Sequence, residues 1–187
     1  LGYAPDQWDG LCKALRSQGV TDEEMLLLGL AQTSQRGTLI DKFRSRVMYP
    51  IQNDRGVFIG FGGRILGEGQ PKYLNTQETP LFQKGHNLYA LNHAKAAIRQ
   101  QDQVILMEGY MDVIAAHQMG ITNAVASLGT ALTTEQIKCI NRYTYQTIIC
   151  YDADQAGENA ALRGLDLLHE QGCQVRVIRI PQGKDPD

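Results

Sequence analysis

At 187 residues, 43% of them hydrophobic and 20% charged, with a formal net charge of −2, the chain has the composition of one large globular domain or two small ones, which excludes a disordered or fibrous protein. No window approaches the roughly 18 uninterrupted apolar residues of a membrane helix and no signal-peptide pattern opens the chain, so no membrane association is expected and the cytoplasm is the expected compartment. Cys12, Cys139, Cys150 and Cys173 lie far apart without a CxxC pair, so neither a disulfide nor a zinc site is expected.

In chain order, "PDQWDGLCKALRSQG" predicts a helix entered at Pro5 and Asp6 and closed by Gly19. "TDEEMLLLGLA" predicts a second helix, opened by a capping box between Thr21 and Glu24. From Phe43 the texture changes: "RVMYPIQ", the turn "NDRG" and "VFIGFGGRIL" read as two strands of a hairpin, with "KYLN" a further strand. The crowded Gly60, Gly62, Gly63, Gly67 and Gly69 suggest bulges or backbone lying close to a ligand. "LYALNHAKAAIRQ", Leu88 to Gln100, is a predicted helix. After Gln101 strand and helix alternate through "QVILMEG", "MDVIAAHQMG", "NAVASLG", "TTEQIKCINRY", "TIICYD", "AGENAALRGLDLLHEQG" and "QVRVIRI". This predicts a doubly wound α/β unit with a parallel sheet, preceded by a smaller mixed α+β subdomain. The expected domains are 1–100 and 101–187, meeting near residues 98 to 103.

Charge divides along the same lines. Thr33 to Arg99 holds ten Lys or Arg against four Asp or Glu, and Gln103 to Asp187 holds six against ten. A basic half before an acidic half fits an anion-binding surface beside a cation-binding site.

In an open parallel sheet, ligands bind outside the carboxyl ends of the strands. Glu108 follows "VILM" and Asp152 follows "IICY", with Asp154 two residues on; Asp112 sits in the helix turn after Glu108, and Asp185 and Asp187 follow the last strand. All six can share one rim. Clustered carboxylates repel unless a cation stands between them, and an all-oxygen donor set selects a hard ion, Mg²⁺ rather than Zn²⁺. Taken singly, Asp154 also fits a helix N-cap, Asp112 a dipole-favoured first turn, and Asp185 and Asp187 solvated terminal charges. Glu108 and Asp152 are harder to explain structurally, because acids at adjoining strand ends cost electrostatic energy without a partner.

These residues carry a resemblance. "MEGYMD", "YDADQAG" and "DPD" resemble the Toprim domain, and with "FRSRVMYPI", "GFGGRIL", "PKYLNTQET", "LFQKGHNLYAL" and "AVASLGT" the chain is similar to the catalytic core of a DnaG-type bacterial primase from about Phe43 to Asp187. The resemblance implies a Toprim-type fold and a DNA-dependent RNA polymerase, making short RNA primers from ribonucleoside triphosphates on single-stranded DNA, partnered by the replicative helicase. It implies catalytic roles for Glu108, Asp152 and Asp154, and metal ligation by these with Asp112, Asp185 and Asp187, with Mg²⁺ replaceable by Mn²⁺. It also implies nucleotide or nucleic-acid contacts from Arg64, Lys72, Tyr73, Asn75, Lys84 and Tyr110. Lys72 and Lys84 also read as ordinary surface charge, and Tyr73 and Tyr110 as packing residues. A full primase of this type begins with a zinc-binding module and ends with a helicase-binding domain. Neither is in this sequence, which starts at Leu1 and stops at Asp187 as a piece of something longer would.

Rival classes predict different patterns. A receiver module places its acid pair at the first strand and a lone aspartate at the third, the reverse of this order. A topoisomerase shares Toprim but not the upstream segments, and a noncatalytic Toprim protein would bind nucleic acid without metal. "SLGT" lacks the GxSxG spacing of a serine hydrolase and reads instead as a loop supporting the metal site through its backbone.

Overall fold

The computed structural model describes residues 1–129, 131–152 and 155–178. They group into two compact units, Leu1–Ile51 with Phe58–Gln83, and Gln52–Val57 with Lys84–Asp187.

The first unit contains β1 (Gly2–Ala4), α1 (Gly10–Ser17), α2 (Asp22–Leu27), β2 (Ala31–Thr33), β3 (Leu39–Asp41), β4 (Arg46–Gln52), β5 (Phe58–Ile65) and β6 (Tyr73–Asn75). Its main sheet runs β1-β4-β5-β6, and β2 pairs with β3 in a separate two-stranded sheet. The β4–β5 hairpin and β6 follow the predicted pattern. The three-residue strands β1, β2 and β3 were not expected. The capping box of α2 forms as predicted: the Thr21 N–H donates to Glu24 Oε2 at 2.8 Å, and the Glu24 N–H donates to Thr21 Oγ1 at 3.2 Å.

Helix α1 begins later than its Pro5–Asp6 signal. Asp9 holds the N-cap position without a side-chain bond. The cap comes from β3 instead: Asp41, 4% exposed, accepts the Leu11 N–H at 2.8 Å and the Cys12 N–H at 2.9 Å. A carboxylate from outside the helix thus satisfies two of its orphan donors. Cys12, Met25 and Ala31 form the small core beneath it.

The second unit contains α3 (Leu91–Gln101), β7 (Val104–Met107), α4 (Tyr110–Gln118), β8 (Ala124–Ala126), α5 (Thr134–Asn141), β9 (Gln146–Ile149), α6 (Gln155–Glu170) and β10 (Gln174–Val177). These strands form the predicted parallel sheet, in the order β10-β9-β7-β8. Val104, Leu106, Val125 and Ile149, all fully buried, anchor its core.

Helix α3, expected in the first domain, contributes to this core. Its buried face, Leu91, Ala94 and Ile98, is spaced by three and four residues, so one stripe meets the parallel sheet. The turn 52–57 joins the same unit: Asn92 Nδ2 donates to Gln52 Oε1 at 2.9 Å, Lys95 Nζ to the Asp54 carbonyl at 2.9 Å, and Arg142 pairs with Asp54 at 3.2 Å. Along the chain the compact units change between residues 51 and 52, 57 and 58, and 83 and 84. Among the described residues, no helix is long and apolar enough to cross a membrane.

Candidate functional site

The sheet order fixes where a ligand crevice lies. From β7 the chain crosses to β8 on one side, then returns to β9 on the other. The switch point falls between β7 and β9, and the crevice lies outside their carboxyl ends. Register brings those ends level: Leu106 pairs with Ile149, and the Cys150 N–H donates to the Leu106 carbonyl at 2.9 Å. Just beyond, the Asp152 N–H donates to Glu108 Oε1 at 3.3 Å. Residues 44 positions apart thus put their carboxylate-bearing backbones side by side, on posts whose last residues, Met107, Cys150 and Tyr151, are buried.

Negative charge concentrates there. Burial, and then the carboxylates of Asp112 and Asp152, push the Cys150 thiol pKa up. Burial, and then Glu108, raise that of the Tyr151 hydroxyl. Asp112 caps α4 from inside its first turn, accepting the Gly109 N–H at 2.9 Å, which fulfils the structural role its position allows and holds its carboxylate next to the residue after Glu108. The loop after β8 borders the same strand end: the Ser127 N–H donates to the Met107 carbonyl at 3.4 Å, and Leu128 and Gly129 take positive φ of 63° and 73°.

Gly157 escaped sequence reasoning. A Cβ there would run into the Asp152 carbonyl and stand 2.9 Å from Glu108 Oε1. The first turns of α6 can therefore cross the acid pair only with no side chain at this position. The available signal was a glycine early in a helix, five residues after Asp152, where propensity disfavours it.

The donor chemistry suits a hard divalent cation, since Glu108, Asp112 and Asp152 offer only oxygens. Asp154, Asp185 and Asp187 lie outside the described residues. Among the described residues, no three His, Cys, Asp or Glu side chains group as a metal cage.

The predicted basic residues divide between the units. In the first, Arg64 pairs with Tyr73 across β5 and β6, and Gly62 pairs with Asn75. Arg64 Nε donates to Tyr73 Oη at 3.3 Å, and Lys72 Nζ lies 5.6 Å from the Tyr73 ring centroid. Arg64 and Lys72 line a cavity of about 410 Å³ together with Ile65, Gly67, Glu68 and Gly69. Lys84 belongs to the second unit, where its carbonyl accepts Gln136 Nε2 at 2.9 Å.

Tyr110 is 4% exposed and packs on Tyr89 at 5.7 Å between centroids, the packing arrangement that the sequence offered as its alternative. Gly60 and Gly63 allow close packing: a Cβ on Gly63 would stand 3.0 Å from Arg46 Cδ and from Phe43, and one on Gly60 would press on Thr76 and Phe82.

Comparison with known proteins decides among the rival classes. Residues 1–95 match the family described as DNA primase catalytic core, N-terminal domain. The chain belongs to the DNA primase catalytic core family. Residues 105–187 match the Toprim-like family, so the acid pair lies in the Toprim-like part of this primase core, and the Arg64 cavity in its primase-specific part. That N-terminal match sets the topoisomerase reading aside. The DNA primase of Clostridium acetobutylicum is 49% identical over the whole chain, which covers 31% of that relative. A crystal structure of a DNA primase domain from Pseudomonas aeruginosa matches with a TM-score of 0.90 at 46% identity, over 99% of this chain and 59% of that one. A DnaG primase catalytic domain bound to single-stranded DNA matches with a TM-score of 0.89 at 43% identity, over all of this chain and 61% of that one. The chain thus spans about a third of the length of the curated primases it matches.

Proposed function

We propose that this chain carries the nucleotidyl-transfer site of a bacterial DNA primase and makes short RNA primers on a single-stranded DNA template. The observation that carries the reading is the Asp152 N–H to Glu108 Oε1 hydrogen bond at the sheet's switch point, because it draws together two acidic residues whose like charges favour a cation held beside them. Glu108, Asp152 and Asp154 are the proposed catalytic acids, with Asp112, Asp185 and Asp187 completing the ligands for Mg²⁺, or Mn²⁺ in its place. Bound divalent cations supply a lowered pKa for the attacking 3′-hydroxyl and neutralisation of the triphosphate.

The chain's residues do the rest. Glu108, held by the Asp152 N–H, takes up the hydroxyl proton as the 3′ oxygen bonds to the α-phosphorus and pyrophosphate departs. Arg64 and Lys72 neutralise triphosphate or template phosphates, while Tyr73 and Asn75 extend that surface to base and sugar. Lys84 supplies a further phosphate contact. The proposed partners are template, primer and ribonucleoside triphosphates, with the replicative helicase engaged through a domain outside this sequence; the proposed setting is the bacterial cytoplasm. A solved relative bound to single-stranded DNA supports the template assignment.

The test supplies the chain with single-stranded template, ribonucleotides and Mg²⁺ or Mn²⁺. The Glu108→Gln, Asp152→Asn double variant should fold as the parent does and lose primer synthesis by about 10² to 10⁴-fold. Synthesis at the parental rate from the double variant would remove the acids from the mechanism.

A further inference from the structure

Arg46 is the most buried cation of the first unit that the proposed mechanism leaves unused. It sits at the start of β4 with 5% exposure, and its guanidinium faces backbone carbonyls. Nη2 donates to the Pro71 carbonyl at 2.8 Å, and Nη1 is shared between the carbonyls of Lys72 at 3.3 Å and Gly63 at 3.4 Å. Those residues are significant: Gly63 precedes Arg64, Pro71 precedes Lys72, and Lys72 itself supplies the third oxygen. The two side chains with cationic heads in the 410 Å³ cavity are carried by the backbone that Arg46 grips. Gly63 makes the grip possible, since a Cβ there would stand 3.0 Å from Arg46 Cδ. The far end of the loop is tied by the Ile65 N–H, which donates to the Lys72 carbonyl at 3.0 Å, the same oxygen that Arg46 reaches.

We infer that Arg46 is a positioning residue that fixes the spacing of Arg64 and Lys72 for a triphosphate, the inference resting on the reading of that cavity as a phosphate-binding surface. A planar guanidinium can bridge three carbonyls, one from β5 and two from the loop before β6, whereas an ammonium is a point donor on a flexible stem. Burying the charge against aligned carbonyl dipoles also leaves Arg64 and Lys72 as the cations turned toward the ligand. The arrangement separates two tasks that surface arginines usually combine: one buried cation shapes the loop and two others bind.

The experiment compares the parent chain with Arg46→Lys and Arg64→Ala. It measures amide exchange at Ile65, against Lys42 in the same unit, whose N–H donates to the Leu30 carbonyl at 2.9 Å, together with binding of ATP and the KM and kcat of primer extension. Arg46→Lys should speed exchange at Ile65 by about tenfold with Lys42 unchanged, weaken ATP binding and raise nucleotide KM by about tenfold, and leave kcat within about twofold. Equal acceleration at Ile65 and Lys42 would mean general destabilisation and would overturn the inference, as would unaltered exchange at Ile65. If exchange at Ile65 responds to Arg46→Lys but neither Arg46→Lys nor Arg64→Ala alters ATP binding, the loop is braced as described and the phosphate reading of the cavity is what fails. If Arg64→Ala weakens ATP binding and Arg46→Lys does not, the cavity reading stands and the positioning role falls.

Discussion

The two units bring charge to their working surfaces by opposite means. In the parallel unit, register and strand order suffice: β7 and β9 are neighbours, their ends are level, and a carboxylate follows each. In the antiparallel unit, strand pairing sets Arg64 opposite Tyr73, but the loop that presents Lys72 is held by a buried guanidinium from a third strand. A site made by topology tolerates change in its surroundings and fails when its close backbone approach is blocked. One made by side-chain bracing fails when a residue remote from the ligand is altered.

Gly157→Ala tests the first half of that comparison most severely. An added Cβ would collide with the Asp152 carbonyl and crowd Glu108, and a displacement of about 1 Å in a catalytic constellation costs on the order of 10²-fold in rate. Primer synthesis should fall by about that factor, with stability reduced by ~1–3 kcal/mol from overpacking. Helix propensity alone pulls the other way, favouring alanine by about 1 kcal/mol. A variant that is both more stable and fully active would show that the crossing of α6 over the acids is not tight.

How far each unit could be read from its residues follows from the same difference. The alternation after Gln101 predicts the parallel sheet because apolar strand runs and periodic helices follow one another there in strict order. Of the acids expected on one rim, Glu108 and Asp152 are joined by a hydrogen bond from the Asp152 N–H. Tyr110 left both a contact and a packing role open, because a tyrosine beside a motif looks the same in sequence whether its ring faces the crevice or Tyr89. Arg46 and Asp41 were invisible for a related reason: a buried charge held by distant backbone looks in sequence like any surface charge, and its partners are 17 to 30 residues away. Gly63 stood out as a site of a bulge or of close backbone approach to a ligand, and its close neighbour is the stem of Arg46.

Asp41 offers the next largest effect and a contrast with Asp112. Both acids cap a helix, but Asp112 does so from within α4, whereas Asp41 reaches α1 from β3 and is buried there. Asp41→Ala strands the N–H groups of Leu11 and Cys12, and should cost ~1–3 kcal/mol. Trp8, the single tryptophan, lies in this unit beneath the Arg44 guanidinium, 3.5 Å from its ring centroid, so its fluorescence reports the first unit. Denaturant unfolding followed through Trp8 should shift to lower midpoints. An unchanged midpoint would mean that α1 is held by its apolar face alone.

The smallest effect is an alkaline one and comes from the same corner. Burial, then the hydrogen bond and charge of Asp41, push the Cys12 thiol up from 9.0 to about 12. A folded-state pKa above the unfolded value means that the native chain holds its proton more tightly. The resulting stability is complete below pH 9 and drains as pH rises from 9 toward 12. At pH 10 the loss should be about 1 kcal/mol, seen as a falling Trp8 midpoint. Cys12→Ala removes the titrating group, so it should be less stable than the parent at pH 8 yet decline less steeply above pH 9. Asp41→Ala, which removes both the hydrogen bond and the adjacent charge, should flatten the slope in part. Equal alkaline slopes in all three chains would assign the decline to other groups, such as Tyr151 in the parallel unit, and would free Cys12 from its coupling to the cap of α1.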